Sequence, residues 1–137
     1  MTYDEAFETL VSEGTIFEPP YDAVFDYVDE VIKNHPNNAY NLLQQCNEIG
    51  EATLVMLTVM YNTVKQVLQV QSCNDSDISS VTGLSAWQIK KAKEKVGYRS
   101  TEDLVYMLQL VQKIEKGIKT GRMEEAYAMQ YFMVNVL

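Results

Sequence analysis

Few groups in this chain could carry chemistry. A single histidine, His35, sits in Asn34-His35-Pro36, so a proton shuttle working near neutral pH has one place to be. The two cysteines, Cys46 and Cys73, form neither a CxxC pair nor a Cys/His cluster, so zinc ligation and a disulfide framework are not expected. Four carboxylates, Asp22, Asp26, Asp29 and Glu30, crowd one stretch. They recur at helical spacing with no turn to wrap them around a cation, and read as a solvated helix face. The glycines at 14, 50, 83, 97, 117 and 121 are isolated, and no phosphate loop can be assembled from them. With its one histidine in a proline-terminated loop, a serine–histidine–acid triad has no support. The expectation is a protein that is not an enzyme, with no catalytic, cofactor or metal site and no small-molecule substrate.

The one stretch with a chemical signature is basic. Residues 77–96, DISSVTGLSAWQIKKAKEKV, have the pattern of a helix-turn-helix. Ile78 and Val81 make the inner face of the first helix, Gly83 makes the turn and Leu84 plugs the angle. Ser85 caps a second helix whose Ile89 points inward. Lys90, Lys91, Lys93, Lys95 and Arg99, five of the eleven bases, lie in or just after that helix. A helix reading a major groove needs Arg, Asn or Gln near its start for base edges. Ala86, Trp87 and Gln88 stand there, followed by lysines suited to phosphate. A sequence-specific helix-turn-helix regulator is therefore the alternative reading, and a helix corner with a solvated basic face the plain one.

The elements that position these residues are helical throughout. The chain has 137 residues, 47% of them hydrophobic, with 6 Gly and 3 Pro, which excludes a disordered or collagen-like chain and provides for one sizeable core. Thr2-Tyr3-Asp4-Glu5 has capping-box spacing for a helix to about residue 11. Helices are then expected over about 21–33, where Val24, Phe25, Val28, Val31 and Ile32 share a face, and over 37–48, 51–72, 77–81, 85–96, 101–120 and 122–137. Proline, glycine and Ser/Asn/Asp caps separate them. Residues 52–61 are nearly continuously apolar and should be buried on most sides, yet the run is too short to span a membrane. The net charge is −8, stepped along the chain: eleven acids and one base up to residue 51, then eight acids and ten bases. The step suggests two segments in different electrostatic surroundings. The start, MTYDEAFETL, has no basic and apolar leader, so the expected place is a soluble, reducing, cytoplasmic compartment.

From about Leu42 onward the chain resembles the C-terminal collar domain of the delta subunit of bacterial DNA polymerase III, the clamp-loader wrench. The features come in order: a long helix ending VKQVLQVQ, the short helix pair ISSVTGLSAWQIKKAKEKVGYRSTEDL with its Lys90-Lys91-Ala92 run, and the Ile118-Lys119-Thr120-Gly121 link before a terminal apolar helix. Upstream, residues 21–43 look like the end of the family's lid domain, with Phe25, Val28, Asp29, Val31 and Ile32 in the matching helix. Ser85-Ala86 stand where the family often has proline, and Asn62 and Lys65 where it often has arginine.

The resemblance implies an all-α fold: a bundle of about five helices over 41–137, the oligomerisation domain, preceded by a small acidic lid remnant over 1–40. It also implies a role. In the family, delta, gamma or tau, and delta-prime form a pentameric ring through these domains and load the sliding clamp onto primed DNA, and delta hydrolyses no ATP. The last helix is greasy nearly all round. Either the fourth and seventh helices cover it from two sides, or Met129, Phe132, Met133 and Val136 are left for a neighbouring collar, where aromatics and Met are favoured. The second arrangement is the expected interface. Lys90, Lys91, Lys93, Lys119 and Arg122 are the residues expected to touch the DNA backbone, weakly or indirectly.

Overall fold

The computed structural model describes residues 21–73 and 78–137. The helix expected over 2–11 lies outside them. Among the described residues seven helices follow one another: α1 (Tyr21–Ile32), α2 (Pro36–Ile49), α3 (Thr53–Ser72), α4 (Ile78–Thr82), α5 (Ala86–Lys93), α6 (Thr101–Lys119) and α7 (Glu125–Val136). No strand occurs among the described residues, and the all-α expectation holds.

The long helix α3 is the axis. Met56, Leu57, Met60, Val64, Val67 and Val70 are buried along it, and it packs on α1, α4, α5, α6 and α7. Its first turns are less enclosed than the apolar run suggested: Leu54 and Val55 face outward. Partners surround the helix on its core side only.

Local chemistry sets each boundary. Asn34 takes φ 61, His35 N donates to Glu30 O and Asn34 N to Val31 O, which closes α1 in a Schellman motif with Asn in the left-handed position. Pro36 then opens α2 at a position that needs no N–H. The end of α6 repeats the device. Gly121 has φ 74, Gly121 N donates to Ile118 O, and Arg122 N reaches back to Gly117 O. Ser85 and Gln88 form a complete capping box on α5, and Ser100 accepts from Asp103 N at the start of α6.

The division expected at residue 40 falls inside α2. The described part of the 1–40 segment shares the core of the rest: Val24, Tyr27, Val28, Val31 and Ile32 are fully buried, against α2 and α3.

The four residues expected to face a neighbouring subunit are corrected here. Met129, Phe132, Met133 and Val136, with Ala128, form the buried face of α7, which packs on α3 and α6. A helix with apolar residues nearly all round must choose one face for its own core. Here the larger Met and Phe side chains fill the groove between the two long helices, the first of the two arrangements open from sequence. The stripe left outside is Tyr127, Tyr131 and Val134, of which Tyr127 is 65% and Val134 74% exposed.

Among the described residues one buried side-chain polar atom has no partner. The Tyr27 hydroxyl, deep between α1 and its neighbours, makes no hydrogen bond. Burial pushes its pKa well above the ordinary tyrosine value, with Cys46 and Tyr40 adding to the effect, so it stays neutral. A buried hydroxyl without a partner costs about 1–3 kcal/mol of desolvation. Tyr27→Phe is therefore expected to leave urea stability unchanged or raise it by about 1 kcal/mol. A loss of similar size would mean that the hydroxyl is hydrogen-bonded in solution.

Candidate functional site

The basic stretch folds as a helix corner. Gly83, at φ 74, turns the chain between α4 and α5, and its N–H donates to Ser79 O. Ser79 Oγ donates to Leu84 O at 3.0 Å, and Thr82 Oγ1 accepts from Leu84 N at 3.3 Å. The inner face is thinner than the sequence suggested. Val81 is 60% exposed, α4 buries no residue, and α5 buries only Ala92.

The five bases divide into two kinds. Lys95 and Arg99 are internal, with 4% and 7% of their surface exposed. Lys95 Nζ lies 3.2 Å from Asp29 Oδ1 on α1 and donates to Lys91 O at 3.0 Å. Arg99 uses its whole fork: Nε donates to Ile32 O at 3.1 Å, one terminal nitrogen to Val31 O at 2.9 Å and the other to Asp103 Oδ2 at 2.8 Å. The cation thus sits where the α1 macrodipole is most negative, on carbonyls at the end of that helix. Burial outweighs the attraction of Lys95 and holds the Asp29 carboxyl above its usual range, so this ion pair forms against a desolvation cost. Gln71 of α3 completes the clasp, donating to Arg99 O at 3.0 Å and accepting from Gly97 N at 3.2 Å. His35 pairs with Glu30 and meets Tyr98 edge to face, centroids 6.3 Å apart.

Lys90, Lys91 and Lys93 remain on the outer side of α5. The chain's only tryptophan joins them: Trp87 is 41% exposed, with Lys91 Nζ 4.7 Å and Lys90 Nζ 5.8 Å from its ring centre. Spacing of three and four residues on a helix puts both ammonium groups over the indole. A search for hydrogen-bonding side chains does not single out Trp87; its place three and four residues before lysines is the sequence signal for this cluster. Gln88, the one base-reading type at the helix start, has its side chain committed to the cap, accepting from Ser85 N at 2.9 Å. Nothing in this corner favours the sequence-specific regulator.

Lys119 and Arg122 are exposed on the elbow between α6 and α7. They do not join the lysines of α5. The start of α6 lies beside Gln71 and its end leads to α7, whose Glu125 O is reached by Thr53 Oγ1, so the two basic spots sit at opposite ends of the α3–α6 pair. At about 1.5 Å per residue, helix α6 separates them by roughly 28 Å. Among the described residues no group of His, Cys, Asp or Glu could hold a metal ion, and no helix is long and apolar enough to cross a membrane.

Comparison with known proteins gives a consistent picture. The family model described as "DNA polymerase III delta subunit, C-terminal domain" matches residues 21–136. Among solved structures, the chain is similar to the Bacillus subtilis DNA clamp loader delta protein, with a TM-score of 0.74 and 13% sequence identity, over 86% of this chain and 36% of that one. The chain thus spans about a third of the length of that relative. No curated protein matches.

The clasp makes a quantitative demand. Arg99→Met leaves Ile32 O without its side-chain donor and removes the cation from the end of α1, and should cost about 2–3 kcal/mol in urea unfolding. Arg99→Lys should recover only part of this, since one ammonium cannot reproduce the planar fork. Full recovery by lysine would show that charge alone, and not the fork, holds α1.

Proposed function

The chain belongs to the family of DNA polymerase III delta subunits, through their C-terminal domain, and from that premise we propose that it is a non-catalytic helical scaffold that holds a clamp-loader ring together during DNA replication in the cytoplasm. The observation that carries the reading is the match of one family model across nearly all of the described helices, 21–136. The partners are gamma or tau and delta-prime, joined through their own collar domains. The chain needs no cofactor and no nucleotide of its own for this role.

The face offered to a neighbour is the outer stripe of α7. Tyr127, Tyr131 and Val134 are exposed at helical spacing, and they include the residue types over-represented in interface centres. The face of Met129, Phe132, Met133 and Val136 supports this stripe from within.

DNA contact is a second, weaker part of the role. Lys90, Lys91 and Lys93 supply phosphate contacts at one end of the domain and Lys119 and Arg122 at the other, a spacing that a nucleic acid running along the α3–α6 pair would meet in turn. Trp87 offers a ring on which an unpaired base can stack, the sequence-tolerant kind of contact a loader needs.

Two sets of variants separate these roles. Tyr131→Glu with Val134→Glu should weaken co-elution with gamma and delta-prime at least tenfold while leaving the melting temperature within a few degrees, whereas Phe132→Glu should unfold the chain. Lys90→Glu with Lys91→Glu should spare assembly and lower the slope of log affinity against log salt for a primed template by about 0.7–0.9 for each phosphate no longer neutralised. Assembly untouched by the α7 pair would remove the interface assignment. Sequence-selective duplex binding would favour the regulator instead.

A further inference from the structure

Helix α5 packs on α3, and Ile78 and Leu84 before it lie against the core, but the corner buries few side chains completely. Helix α5 buries Ala92 alone, and α4 before it buries nothing. Its start is secured locally by the Ser85–Gln88 capping box, independently of the rest of the fold. What fixes its exit is polar: Lys95 to Asp29, Arg99 to Val31 O and Ile32 O, and Gln71 to the 97–101 turn. Lys95 also donates to Lys91 O, one turn back in α5 and beside the lysines that lie over Trp87. The outer basic face and the end of α1 are therefore joined by two buried cations within a few residues.

We propose that Lys95 and Arg99 are positioning residues for DNA contact, coupling the pose of Trp87, Lys90 and Lys91 on α5 to the C-terminal end of α1. The inference rests on the reading that α5 faces DNA. Neither cation can touch a phosphate, because both are buried. Their effect on DNA passes through the angle of α5, and linkage makes it reciprocal: DNA that favours the clasped pose must stabilise the clasp. Helices held mainly by polar pins belong to the least stable part of a fold, which is where such coupling has room to act.

The test uses the full chain and a primed template, a duplex with a single-stranded 5′ overhang. Asp29→Asn with Lys95→Met removes the Lys95 pin without leaving a buried charge unpaired. The double variant should bind the template about tenfold more weakly with an unchanged salt slope, and the fluorescence anisotropy of Trp87, the sole tryptophan, should fall while circular dichroism is retained. Removing a phosphate-contacting lysine would instead lower the salt slope. In the unaltered chain, saturating template should slow hydrogen exchange of the Lys33, Asn34 and His35 amides several-fold, a readout independent of how the variant folds. Unchanged exchange at these amides, or a folded double variant with wild-type affinity and Trp87 anisotropy, would overturn the coupling. A wild-type chain that binds no template at all would instead overturn the DNA reading beneath it.

Discussion

Arg99 is a cation that gave up water, and the arrangement around it follows from that. A buried guanidinium must have its donors answered, and the groups that answer are carbonyls at the end of α1 and the carboxylate of Asp103. Satisfying Arg99 therefore fixes where α1 ends relative to the start of α6. The Schellman close at Asn34 turns the chain at that point, and Pro36 starts α2 back across α1. Lys95 and Gln71 extend the same solution to α5 and α3. Apolar burial gives the domain its stability, but it is non-directional; the buried cations supply the registry that burial cannot.

The two ends of the domain are built on different principles. Near α7, Met and aromatic side chains fill the groove between α3 and α6, and the position of the helix is set by shape. Removing Phe132 from such a site costs about 3–5 kcal/mol, because close-packed surroundings relax only partly. Near α5, few apolar side chains are fully buried, and hydrogen bonds and charge add to its packing on α3. The domain is thus held by shape at the α7 end and in larger part by polar contacts at the α5 end.

Much of this was readable from residue order. Caps at Ser85 and Ser100, the Pro36 start and the Gly121 stop are local chemistry, and each boundary falls within a few residues of its expected place. The all-α fold followed from the same signals. Side choice was less legible. Helix α7 carries apolar residues on nearly every side, so spacing alone could not say whether Met129 and Phe132 or Tyr127 and Tyr131 faced inward; that depended on the groove between α3 and α6. The internal pair within the basic run was illegible for a related reason. Lys90 and Lys95 look alike in a sequence, and only the approach of Asp29 from a distant helix turns one into an internal pin and leaves the other on the surface. The division at residue 40 was expected from the resemblance; in the structure α1 packs on both α2 and α3.

The central claim is that this domain is a ring component, and stoichiometry tests it most directly. Native mass spectrometry of the chain mixed with gamma and delta-prime should show one copy of it in a five-subunit assembly. A chain that remains alone, or pairs only with itself, beside partners that are otherwise competent to assemble would contradict the account.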